Sequence, residues 1–241
     1  MYALVLLAAQ APNPYVESKD FPRAKQEAAL AATAGIFIPT SRMEGTAVIV
    51  KHADSRITLL TAGHNVPVKD GIEVELELYT PKSYPNVHAK LRGFVKARMP
   101  NEDLAVVVAE CKEAPGVLSI CPKAKLPIPE LFPFPALTVG CDDVMGKPKC
   151  EADLVVGKQY ITKPDRTAAQ FWETQRAQAV GRSGGPLVDS RGYLMGICSG
   201  IKNKKGYYTY ISEIHKALDN AGFRDLYLED RKDQPAAPKS R

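Results

Sequence analysis

Three short segments carry side chains that could do chemistry together. The first ends an apolar run on a histidine, Leu59-Leu60-Thr61-Ala62-Gly63-His64-Asn65-Val66. The second opens an apolar run with an aspartate, Asn101-Glu102-Asp103-Leu104-Ala105-Val106. The third sets a serine in a glycine loop, Gly181-Arg182-Ser183-Gly184-Gly185-Pro186-Leu187-Val188. A serine hydroxyl attacks an unactivated carbonyl only with help. A base must take its proton, a carboxylate must orient the base, and N–H donors must receive the oxyanion. Imidazole is the side chain that titrates near neutrality, and His64 supplies one. Asp103 can accept from Nδ1 and fix the tautomer, leaving Ser183 as nucleophile. The glycines let the N–H groups of Gly181 and Ser183 converge on one point, where each donor is worth on the order of 3–4 kcal/mol in the transition state. Alone, each segment is ordinary: a surface histidine, a strand-opening aspartate, a tight Ser-Gly-Gly turn. The signal is all three, in this order, in a chain with only four histidines. His52 in a turn, His88 beside Pro85 and Asn86, and His215 in a late helix read as structural or surface residues.

Many short strands must position these groups. Gly35–Pro39, Thr46–Val50 and Arg56–Thr61 are β-prone runs separated by turn residues. Ile72–Leu78 alternates, so it has one wet face; Glu73, Glu75 and Glu77 read as that face. Asp103–Val108 reads as a buried strand. A Pro-rich connector spans 113–136, and Leu137–Gly140, Ala152–Val156, Leu187–Val188, Tyr193–Cys198 and Gly206–Ile211 follow as further strands. Phe171 and the single tryptophan, Trp172, fall in an expected loop. A helix is expected from about Pro22, and another from Ser212, which could cap it. The resulting division is a leader over 1–17, a helix over 18–33, a β-unit over 34–112, the connector, a second β-unit over 137–211, a helix over 212–228, and a charged tail over 229–241.

Composition bounds the rest. The 241 residues carry 24% charged and 45% hydrophobic side chains, which excludes a disordered polymer, a collagen-like repeat and a disulfide-dense miniprotein. The net charge of 32 − 27 = +5 is too mild to argue for nucleic acid. The apolar run over 3–9, followed by Ala9-Gln10-Ala11, fits a cleaved export signal. A secreted or periplasmic protein is therefore expected. No later stretch reaches a membrane span. The five cysteines, Cys111, Cys121, Cys141, Cys150 and Cys198, lack C-x-x-C spacing, so zinc is not expected. The first four could form two local disulfides, and their pairing is open.

With these motifs in view, the chain resembles the trypsin-like (chymotrypsin-fold) serine proteases over roughly 34–220. TAGH at 61–64, EDLAVV at 102–107 and GRSGGPLV at 181–188 look like that family's histidine, aspartate and serine motifs. GYLMGICSG at 192–200 and KNKKGYYTYI at 202–211 look like the strands behind them. Bacterial trypsin-like and Deg-type domains are the most similar, without the PDZ-sized segment that could follow residue 228. The resemblance implies an all-β fold of two six-stranded antiparallel barrels with the triad His64, Asp103 and Ser183 in the cleft between them. It implies an oxyanion hole from Gly181 and Ser183, and no cofactor or metal.

Motif matching places Ala177 at the base of a specificity pocket, with Gln178 beside it. Ser199, Gly200 and Ile201 form one wall and Gly206 the other. An alanine base predicts a small or apolar P1 residue, while Lys202, Lys204 and Lys205 make an acidic one the next choice. Arg182 departs from the family, in which zymogen-activated members carry an aspartate before the serine that receives a new N-terminus. The expected partner is a protein or peptide substrate, and the expected activity serine endopeptidase. The alternative is a catalytically inactive trypsin-like domain that binds peptides or protein partners.

Overall fold

The computed structural model describes residues 13–67, 71–125, 131–142, 146–162 and 168–228. The export signal and the charged tail lie outside the described residues. Helix α1 (Arg23–Ala31) precedes strands β1 (Thr33–Ile38), β2 (Met43–Ala53), β3 (Arg56–Ala62), β4 (Glu73–Leu78), β5 (Ala89–Met99) and β6 (Leu104–Glu110). These six close into an antiparallel barrel in the order β1-β2-β3-β6-β5-β4. Strands β7 (Phe134–Cys141), β8 (Pro148–Thr162), β9 (Ala168–Thr174), β10 (Pro186–Val188), β11 (Leu194–Lys202) and β12 (Lys205–Tyr210) close a second barrel in the order β10-β11-β12-β9-β8-β7. Helix α2 (Ile211–Asn220) follows directly.

Sequence texture explains the packing. On β2, β3 and β6, alternate residues point into the first barrel and outward against the rest of the molecule. Ala47, Ile49, Leu59 and Val107 fill the barrel, whereas Val48, Leu60 and Val106 join a core shared with α1, α2 and the second barrel. Strands buried on both faces need continuous apolar runs. Strand β4 has one wet face, so Glu73 and Glu75 are exposed while Val74, Leu76 and Leu78 are buried.

Several expectations need correction. Trp172 is not in a loop. It lies on β9, pairs with Tyr208 and Lys158 across the sheet, and donates its indole N–H to Met195 O at 2.9 Å. Strand β5, which joins β4 to β6, is a further element absent from the sequence-based set, although Lys90, Arg92, Lys96 and Arg98 alternate there with Leu91, Gly93, Val95, Ala97 and Met99. Helix α2 starts at Ile211 with Tyr210 as its cap residue and no side-chain capping bond, so Ser212 is inside the helix. All five cysteines are free and buried. Burial pushes Cys141, Cys150 and Cys198 up to about 12. Among the described residues no helix is long and apolar enough to cross a membrane.

Candidate active site

The C-terminal end of β3 turns through a short 3-10 segment, Gly63–Asn65, that carries His64. Strand β6 pairs with β3 so that Ala62 faces Leu104, which brings Asp103 beside that segment. The approach is close: a Cβ on Gly63 would stand 2.9 Å from Leu104 N. Asp103 sits at φ 54°, a left-handed conformation that aspartate tolerates better than most residues. There its carboxylate accepts from His64 N and His64 Nδ1, both at 2.8 Å, and from the Ser199 hydroxyl. A carboxylate only accepts, so Nδ1 carries a proton, and in the neutral ring that tautomer leaves the Nε2 lone pair free to act as the base. The imidazole is 43% exposed, and Nε2 has no partner among the described residues. Burial pushes the Asp103 carboxyl up, but the hydrogen bonds from His64 and Ser199 outweigh it and hold the group below its ordinary value.

The serine loop belongs to the second barrel but is fastened to the first. Ser183 O accepts from Thr46 N and from Asn65 Nδ2, each at 2.8 Å. Thr46 Oγ1 donates to Gly181 O at 2.8 Å, and Thr61 Oγ1 donates to Thr46 O at 2.7 Å. Asn65 therefore ties the serine's own carbonyl to the segment bearing the histidine. Gly184 has φ 90°, and a Cβ there would run into Thr46 O and Thr61 Oγ1. Only glycine satisfies both demands.

The backbone donors of this loop divide sharply. Arg182 N bonds Ala179 O at 3.3 Å, Gly184 N bonds Cys198 O at 2.8 Å, and Gly185 N bonds Arg182 O at 2.9 Å. Among the described residues, the N–H groups of Gly181 and Ser183 have no acceptor. Ser183 Oγ makes no hydrogen bond there either. The His64–Asp103 pair is thus made, while the contact from Ser183 Oγ to His64 Nε2 is open.

The residues matched to the pocket fall less simply. Ser199, Gly200 and Ile201 run along β11 through a bulge between Cys198 and Gly200, and Ile201 is exposed. Ala177 is also exposed. The buried side chain is its neighbour Gln178, 4% exposed, whose Nε2 donates to Asp153 Oδ2 at 3.3 Å. A Cβ on Gly206 would be 3.1 Å from Gln178 Cγ, so Gly206 and Gln178 are neighbours. Burial pushes the Asp153 carboxyl up against the pull of the Leu154 and Arg176 N–H groups. Sequence reading passed over Thr46, Asn65 and Asp153, because their importance lies in partners distant along the chain.

The comparisons agree with this architecture. A family model described as Trypsin matches residues 143–219, a span that includes Ser183 but neither His64 nor Asp103. Among solved structures, the Rv3671c protease of M. tuberculosis, described as an inactive form, aligns with a TM-score of 0.66 at 17% identity, covering 88% of this chain and 99% of that one. A serine endoprotease from Yersinia pestis aligns at 0.64 and 19% identity, over 87% of this chain and 68% of that one. The chain has the chymotrypsin fold. It resembles the trypsin-like serine proteases, and the HtrA-type protease AlgW with a tripeptide is a further neighbour, at 0.64 and 20% identity, over 83% of this chain and 62% of that one. No curated protein sequence matches the chain.

Proposed function

We propose that the chain is a serine endopeptidase. Ser183 Oγ attacks the peptide carbonyl and gives its proton to His64 Nε2. Asp103 steadies the resulting imidazolium. The Gly181 and Ser183 N–H groups receive the oxyanion, and His64 then protonates the departing amine. Water, activated by the same imidazole, hydrolyses the acyl-enzyme. No cofactor enters these steps. The observation that carries the reading is the pair of acceptor-free N–H groups of Gly181 and Ser183 on either side of the bonded Arg182 N–H, in a turn fastened through Asn65 to the segment whose histidine is bound to a buried carboxylate.

Substrate is expected to add as a strand along Ser199, Gly200 and Ile201. A small or apolar P1 residue is the preference proposed, with the neutral Gln178 amide, rather than Ala177, next to Gly206. Cleavage after Lys or Arg would instead implicate the Asp153 carboxylate behind that amide. A secreted or periplasmic location is proposed from the apolar run over 3–9 and is checked by cell fractionation.

The open contact between Ser183 Oγ and His64 Nε2 favours a second reading, an idle domain that binds peptides. Catalytic hydrogen bonds are often long before substrate arrives, so the first reading is preferred. A fluorophosphonate probe separates the two. An active protein is labelled at Ser183 and the Ser183→Ala variant is not; an idle one gives the same blank result for both. Mass-spectrometric readout of peptide-library cleavage then reports P1.

A further inference from the structure

Arg182 stands between the acceptor-free N–H groups of Gly181 and Ser183, and its side chain runs from the loop to β7 and β8 of the second barrel. Its side chain is 1% exposed. Nη1 donates to Asp142 Oδ1 at 2.8 Å and lies 3.4 Å from Glu151 Oε1. Nη2 donates to Thr138 Oγ1 at 3.0 Å and to Lys149 O at 3.2 Å. The aliphatic stem crosses Gly140 on β7, where a Cβ would stand 2.9 Å from Arg182 Cβ. Three hydrogen-bond acceptors and the nearby Glu151 carboxylate hold the two Nη groups, while the buried Nε has no partner among the described residues; the Nη contacts make the cation a fixed point, because a guanidinium presents its donors in a rigid planar fork. The backbone at that point is held too, by Ala179 O on its N–H and Gly185 N on its carbonyl.

We propose that Arg182 is the positioning residue of the nucleophile loop, an internal anchor that turns the Gly181 and Ser183 N–H groups toward the cleft. This rests on the proteolytic reading above and adds a cause for its oxyanion geometry. The Ser183 N–H lies in the peptide plane that starts at the Arg182 Cα, and the Gly181 N–H lies just beyond the Gly181 Cα, to which Arg182 is joined by a plane held by Thr46 Oγ1 on the Gly181 carbonyl and Ala179 O on the Arg182 N–H. Seating its side chain on Asp142, Thr138 and the Lys149 carbonyl fixes the Arg182 Cα, which sets the Ser183 N–H directly and the Gly181 N–H through the bonded plane between residues 181 and 182. The anchor is already assembled from residues of this chain, so no newly cut N-terminus is needed to order the loop.

The test compares Arg182→Met, Arg182→Lys and Asp142→Asn with the wild-type chain. Thermal unfolding shows which variants remain folded. Each is then assayed for fluorophosphonate labelling rate, for kcat and KM on a peptide substrate, and for affinity toward a peptidyl trifluoromethyl ketone, whose adduct needs the oxyanion donors. Arg182→Met is expected to lose about 10²–10³-fold in kcat, the size of an oxyanion-donor loss. Ketone affinity should fall by a similar factor while KM changes less than about threefold. Arg182→Lys should recover at least about tenfold of the loss, and Asp142→Asn should fall between. If Arg182→Met does not fold, Asp142→Asn decides, since it keeps the stem in place. A folded variant with wild-type kcat and ketone affinity overturns the proposal, as does a fall in KM and kcat that ketone binding does not follow. If the wild-type chain itself takes no label, the proteolytic reading has failed first, and the anchor falls with it.

Discussion

Replacing Asp103 by asparagine tests the electrostatic and the geometric parts of the site together. The carboxylate takes three hydrogen bonds: the His64 N–H on one oxygen, and His64 Nδ1 and the Ser199 hydroxyl on the other. Asparagine has one acceptor oxygen. If that oxygen stays on the His64 N–H, the amide NH2 faces Nδ1. Two donors cannot share that contact, so Nδ1 must become the acceptor and the proton moves to Nε2, where it blocks the base. A second loss is the charge itself. Opposite unit charges about 4 Å apart interact by roughly 1 kcal/mol in water and about 4 kcal/mol at an effective dielectric of 20. The half-exposed imidazole lies between these limits, so loss of the imidazolium's counter-charge costs up to about 10³-fold. With the wrong tautomer added, kcat should fall about 10⁴-fold, with KM nearly unchanged. The assay is steady-state cleavage normalised to folded protein. A kcat within tenfold of wild type would refute the argument, because it would mean that Nδ1 never depended on the carboxylate. The same group has a pH signature. Its folded pKa is lower than its unfolded one, so it stabilises the fold above the ordinary value of 3.8 and the contribution disappears as pH falls through the folded pKa. Asp103→Asn should flatten that acid limb of the melting curve.

Other outcomes follow from single contacts. Gly184→Ala must place a Cβ against Thr46 O at positive φ and should abolish labelling at Ser183 while the far-UV spectrum stays native. Trp172→Ala empties the second barrel of its largest buried side chain; a loss of about 3–5 kcal/mol is expected, read by denaturant unfolding. His215 is buried on α2, with Nε2 2.8 Å from Cys121 O, and burial lowers its pKa below 6.5. The fold favours its neutral form, so stability should fall as pH drops from about 6.5 toward its folded pKa, a loss removed by His215→Gln and measured by melting temperature across that range. The five thiols are free and buried; intact-mass analysis should show rapid alkylation of all five only after denaturation.

The all-β class, the helices at both ends and the three motifs were legible in the sequence because each depends on neighbours along the chain. Alternation exposes one wet face of β4, continuous apolar runs mark strands buried on both sides, and glycines mark the loop that has to turn at Gly184. Residues 61–64, 102–107 and 181–188 announced their chemistry through side-chain type and order alone. What needed tertiary structure was everything set by distant partners. Trp172 became a core residue because Met195 and Tyr208 surround it, and the buried polar group near Gly206 proved to be Gln178 over Asp153 rather than Ala177. Thr46 and Asn65 matter only because closing two barrels brings them to the Ser183 loop. Arg182 is the sharpest case. Its sequence position marked it only as a departure from a family pattern. Its meaning comes from Thr138 on β7, Asp142 just past the end of that strand and Lys149 on β8, which local pattern cannot place beside it, since a buried charge is tolerated only where the fold has already gathered its acceptors.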